Sequence, residues 1–138
     1  MEETPTVYLA LALELLEKEI NENNGDRDRI YITGISMGSF GSWDAISRKS
    51  DYFASALLCC GGGDVKQAPK LVDMPIYIFH GGVDSVVLPS RSRDMYNAIC
   101  AAGGTKVEYT EYPGVNHNSW TQTYANRDVL RKFFSHKK

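Results

Sequence analysis

Four short runs rich in β-branched and aromatic residues alternate with stretches of helical periodicity, and this alternation is what most limits the folds open to the chain. The runs are Arg29 to Ile35 (RIYITGI), Phe53 to Cys60, Ile76 to His80 (IYIFH) and Lys106 to Tyr112. Helical stretches surround them: Thr4-Pro5 to about Asn23, Met37 to Lys49, Pro89 to Ala102, and Trp120 to His136. A short irregular or helical segment precedes Pro75. Strands that alternate with helices build a parallel sheet with helices on both faces. The expected fold class is therefore α/β, a three-layer parallel sheet of about four strands in one domain spanning residues 1–138. Sheets of this kind place their ligands beyond the carboxyl ends of the strands.

Charge and composition remove several function classes. Lys and Arg number 15 against 17 Asp and Glu, a net charge of −2, so no nucleic-acid partner is expected. The longest apolar run, Val7 to Leu13, is too short to span a membrane. Glu2 and Glu3 stand where the positive region of a signal peptide belongs. Three cysteines, Cys59, Cys60 and Cys100, do not make a disulfide framework. A reducing, cytoplasmic compartment is slightly favoured, and secretion stays open if a leader precedes the chain. Cys59 and Cys60 end the second strand and read as small core hydrophobes. No His or Cys stands beside them at metal-ligand spacing, so neither metal nor cofactor is expected.

Gly34-Ile35-Ser36-Met37-Gly38 is a G-x-S-x-G pattern lying between a strand and a helix. A strand that turns sharply into a helix crowds its neighbours, so small flanking residues let the Ser36 hydroxyl project over the sheet. The helix N-terminus behind it favours developing negative charge. A serine hydroxyl needs a base. Of the three histidines, His136 lies in a charged tail and reads as solvated. His80 ends a strand and reads as a brace for the next loop. His117, in the loop Pro113 to Asn118, can reach over the sheet to Ser36. The base in turn needs a carboxylate to fix its tautomer. Asp84, in a Gly-rich turn after the third strand, is the first choice, and Asp64, after Gly61-Gly62-Gly63, is the runner-up. The order Ser36, Asp84, His117 is that of one serine-hydrolase fold and differs from both well-known serine protease orders.

These residues resemble the α/β-hydrolases, and within them the serine esterases grouped with polyhydroxybutyrate depolymerases, feruloyl esterases and predicted peptidases. The matching stretches are Asp28 to Gly38, Gly41-Ser42-Trp43-Asp44, His80 to Asp84 with Val87 and Pro89, and His117-Asn118-Ser119-Trp120. The resemblance implies Ser36 as nucleophile, His117 as base, Asp84 as acid and the Met37 N–H as one oxyanion donor. It also implies a small-molecule ester as substrate, and Trp120 is a candidate wall of its pocket. His80-Gly81-Gly82 is not the oxyanion motif of lipases, because that motif precedes the nucleophile.

That fold normally has about eight strands, and this chain has room for the equivalent of its C-terminal half. The early strand whose loop gives the second oxyanion N–H is missing. Leu9, Leu13, Leu16 and Ile20 share one face of the first helix, whereas Val7, Leu11 and Leu15 lie nearly opposite. A helix apolar on two sides is buried on two sides. The expectation is a homodimer or higher homo-oligomer through Leu11 and Leu15 and the nucleophile-strand edge. The alternative is a fragment of a longer enzyme. The expected activity is a serine carboxylesterase acting on short acyl esters. Still open are a weakly active or binding-only domain and a peptidase or acyltransferase with the same three residues.

Overall fold

The computed structural model describes residues 2–138. Its four strands, β1 (Tyr31–Ile35), β2 (Ser55–Cys59), β3 (Ile76–Gly81) and β4 (Val107–Tyr112), form one sheet in the order β1-β2-β3-β4. All three pairings are parallel. The register sets Ile35 against Cys59 and Phe79 against both Cys59 and Thr110, so the strand ends that carry the candidate residues fall side by side.

The topology explains how the layers fill. Each connection between neighbouring parallel strands is right-handed by default, so a sheet built in one direction puts every crossover on one face. That face holds α1 (Val7–Glu22), α2 (Met37–Arg48), a 3-10 helix (Val65–Leu71) and α3 (Ser90–Ala101). Its core contains Trp43, Ile46, Ala56, Leu58, Leu71, Ile76, Ile78, Met95 and Ile99. The other face is covered from the carboxyl end of the chain, by α4 (Trp120–Ala125) and α5 (Arg127–Phe134). Leu57, Cys59, Tyr77, Phe79 and Phe133 pack there. The alternation of Ala56 and Leu58 with Leu57 and Cys59 is the period-two signature of a strand covered on both sides.

Three local expectations need correction. The first helix begins at Val7, with the Thr6 hydroxyl accepting from the Leu9 N–H, rather than at Thr4-Pro5. Trp120 to His136 is two helices, not one. Asn126 breaks them, because its extended backbone (φ −82°, ψ 104°) cannot continue a helix and its side chain caps the next one by accepting from the Asp128 and Val129 N–H groups. His136 is not solvated: it is half-buried, and its Nε2 lies 2.6 Å from the Tyr77 hydroxyl. Burial, with Lys106 and Lys132 nearby, lowers its affinity for a proton. Cys100, on α3, is exposed.

The two-sided first helix behaves as its pattern requires on one side only. Leu9, Leu13 and Leu16 pack on the core, with Ile20 buried. Val7, Tyr8, Leu11 and Leu15 remain 56–85% exposed. β1 is an edge strand, and an apolar groove of about 300 Å³ runs beside it between α1 and α2.

Candidate active site

Ser36 sits between β1 and α2 with φ 49° and ψ −119°. A non-glycine residue held there stores backbone strain, of order 1–3 kcal/mol, that the surrounding fold must hold in place. The hold is visible: the Ser36 N–H donates to the Cys59 carbonyl (3.0 Å), and the Ser36 carbonyl accepts from the Ser39 and Phe40 N–H groups. Gly34 is a steric necessity, since a Cβ there would lie 2.3 Å from the Gly38 carbonyl oxygen. Gly38 is not: a Cβ at Gly38 meets nothing within 4 Å, because its side of α2 faces the open groove beside β1. The expectation that both glycines are needed for space holds only for Gly34.

The loops after β3 and β4 bring the remaining groups to Ser36. His117 Nε2 lies 2.9 Å from Ser36 Oγ, and His117 Nδ1 lies 2.7 Å from Asp84 Oδ2. An ionised carboxylate only accepts, so Nδ1 carries the proton toward Asp84 and Nε2 is left to accept from the Ser36 hydroxyl. Asp84 Oδ1 accepts from the Val86 and Val87 N–H groups, each at 2.9 Å. Burial raises the Asp84 pKa, but the hydrogen bonds from His117, Val87 and Val86 outweigh it and hold the carboxyl below the ordinary aspartate range. Asp84 is thus an anion fully ringed by donors. Asp64 is elsewhere: it caps the 3-10 helix, accepting from the Lys66 N–H.

His80, read as a brace, is buried behind Asp84. Its Nε2 lies 2.9 Å from the Val87 carbonyl and 3.2 Å from Asp84 Oδ2, and its Nδ1 lies 2.7 Å from the Ser92 hydroxyl. Removing it would leave a cavity and strand the Val87 carbonyl, while Ser92 keeps its bond to the Gly61 carbonyl, at a cost of about 2 kcal/mol. His80→Ala is expected to lower the melting temperature by about 5–10 °C in calorimetry. An unchanged melting temperature would show that His80 does not brace the loop.

Three contributors had no clear signal in the sequence. The Asn116 side chain accepts from both the Ser85 and His117 N–H groups (3.0 and 2.9 Å) and so fixes the acid loop against the base loop. Gly81 lets those loops touch, since a Cβ there would stand 2.0 Å from the Asn116 carbonyl oxygen. Cys60 is the third. No metal-ligand spacing is visible around it in the sequence, yet one ligand atom each from Cys60, Asp84 and His117 lies within 4.8 Å of the others.

Trp120 stands edge-on to His117, ring centroids 5.5 Å apart at 85°, so it forms a wall beside the imidazole. Met37 begins α2 with its side chain 85% exposed. The first N–H groups of a helix have no partner within it. A cavity of about 370 Å³ opens one helical turn beyond Ser36, lined in part by Phe40, Trp43, Gly62, Gly63, Asp64 and Arg91.

A model of the dienelactone hydrolase family matches residues 8–130. The chain belongs to the dienelactone hydrolase family. Its fold is that of the α/β-hydrolase superfamily, as the motifs imply, in a four-stranded form. Among solved structures, a thermostable esterase is 37% identical and superposes with a TM-score of 0.92 over 100% of this chain. This dienelactone hydrolase family chain spans only 40% of that esterase's length. An acylaminoacyl peptidase of Pyrococcus horikoshii (18% identity, TM-score 0.72, 91% of this chain and 26% of that one) shares the fold. So does SOBER1 of Arabidopsis thaliana (18% identity, TM-score 0.71, 90% of this chain and 62% of that one). No curated protein matches this family member.

Proposed function

We propose that the protein is a serine hydrolase that cleaves small carboxylic esters through an acyl-enzyme on Ser36. The observation that carries this reading is the unbroken line from Ser36 Oγ through His117 to Asp84, at 2.9 and 2.7 Å. Ser36 Oγ attacks the ester carbonyl as its proton passes to His117 Nε2. Asp84 stabilises the resulting imidazolium without taking the proton. The carbonyl oxygen, now an anion, lies against the Met37 N–H at the start of α2. The C–O bond to the alcohol breaks, and His117 returns the proton to the departing oxygen. Water then attacks the acyl-enzyme with His117 again as base, releasing the acid and restoring Ser36.

Trp120, edge-on to His117, gives the substrate one wall beside the imidazole. The thermostable esterase of 37% identity supports ester hydrolysis over other acyl transfers. p-Nitrophenyl acetate and butyrate are the test. Hydrolysis above the uncatalysed rate is expected for both, and the absence of any acceleration would overturn the reading.

The exposed side of α1 and the open β1 edge support a second copy as partner. Unpaired apolar edges associate unless covered, and Tyr8, Leu11 and Leu15 extend the apolar surface next to that edge. Light scattering at micromolar concentration is expected to give a homodimer, and Leu11→Glu with Leu15→Glu to give a monomer. A wild-type monomer would remove this assembly.

A further inference from the structure

We propose that Cys60, Asp84 and His117 form an inhibitory binding site for a thiophilic divalent cation, zinc being the ion their chemistry fits. The three side chains offer one sulfur, one carboxylate oxygen and one imidazole nitrogen, the donor types zinc prefers. Their ligand atoms lie within 4.8 Å of one another. Tetrahedral zinc, with bonds of about 2.0–2.3 Å, holds its ligand atoms about 3.5 Å apart. Closing the site therefore asks for side-chain movements of about 1 Å, with no rebuilding of the loops.

The backbone explains why the thiol is there at all. Cys59 points to the α4 and α5 face, and a regular strand would send Cys60 to the opposite face. Cys60 instead has φ +43° and packs in the same cluster as Cys59. The left-handed turn at the end of β2 thus swings its thiol toward the acid and the base. Charge also favours the assignment. Cys60 and Asp84 are buried, 0% and 3% exposed, and a lone dication would be costly there. One thiolate and one carboxylate bring the site to neutrality. On binding, the Cys60 S–H proton leaves to solvent, His117 coordinates through a neutral ring nitrogen, and no electron is transferred. The fourth position stays open to water.

Occupancy would withdraw His117 from Ser36 and Asp84, so hydrolysis stops while the metal is bound. Inhibition rests on the proposed role of His117, but binding does not, and the experiment separates the two. Zinc is titrated against p-nitrophenyl acetate hydrolysis, and cobalt(II) binding is followed by its near-ultraviolet thiolate charge-transfer band. Wild type is expected to bind one cobalt with that band and to lose activity to zinc, with recovery on adding a chelator. Cys60→Ser is expected to lose the band and, measured against its own metal-free rate, to need at least about ten-fold more zinc for half-inhibition. Cys100→Ser, the control for the exposed thiol, is expected to change neither readout, and Ser36→Ala is expected to keep the band. A band that survives Cys60→Ser, or equal zinc sensitivity in wild type and Cys60→Ser, overturns the site. If no form hydrolyses ester, the cobalt band alone decides, and only the ester reading fails.

Discussion

Ser36→Ala is expected to lower kcat for p-nitrophenyl acetate by about four to six orders of magnitude, with the melting temperature unchanged or raised. The size follows from chemistry that nothing else in the site can replace. Without Oγ there is no acyl-enzyme, and His117 has only water to activate. The stability expectation has a separate cause. Ser36 is held at φ 49° by its links to Cys59, Ser39 and Phe40, and those are backbone bonds that alanine keeps. Ser36→Gly is the sharper companion variant, because glycine removes the strain as well as the hydroxyl. It is expected to be as inactive as alanine and more stable. Hydrolysis by Ser36→Ala at the wild-type rate would remove Ser36 from the reaction, whatever its geometry.

Asp84→Asn is expected to reduce kcat by about 10⁴-fold, whereas Asp64→Asn leaves it within about two-fold of wild type. Both residues follow a glycine-rich turn at a strand end. They differ in what they face. Asp84 Oδ2 lies 2.7 Å from His117 Nδ1, while Asp64 accepts from the backbone of its own 3-10 helix. An amide at position 84 can present its NH₂ to the imidazole, which forces the other tautomer and puts the proton on the nitrogen that must accept it. Steady-state kinetics of the two variants distinguishes them, and a larger loss in Asp64→Asn would reverse the assignment. Asp84→Asn also has a signature in acid. The folded Asp84 pKa is below its unfolded value, so its contribution to stability is present above the unfolded pKa of about 3.9. That contribution disappears as pH falls through the folded value. Wild type therefore loses stability through this acid range by an increment that Asp84→Asn lacks.

Local pattern was a sufficient guide wherever the structure is itself local. β2 and β3 read as apolar runs because both faces of the sheet are covered there, whereas β4 (VEYTEY), partly exposed, alternates. Ser36 was legible because a strand-to-helix turn needs Gly34 directly against the helix that follows. His117 and Asp84 were legible as loop residues at strand ends, where parallel sheets gather their ligands. Asn126 was missed for a local reason as well. Its cap depends on a backbone break that the helical periodicity of Trp120 to Phe134 runs straight through.

Long-range features left no such trace. Asn116 joins two loops only because β3 and β4 are neighbours, and His136 meets Tyr77 only because α5 returns to the far face of the sheet. Gly38 is spared crowding because its side of α2 faces the groove beside β1, which the G-x-S-x-G pattern does not show.

The sequence by itself determined the alternating elements and singled out Ser36, His117 and Asp84, with Asp64 as runner-up, as the candidates beyond the strand ends. These follow from side-chain periodicity and from turn chemistry within a few neighbouring residues. The tertiary structure alone decided that a groove stays open beside β1, that Asn116 ties the acid loop to the base loop, and that Cys60 lies against Asp84 and His117. Those outcomes depend on strand order, on the packing of loops far apart in the chain and on one left-handed residue, none of which has a period to be read.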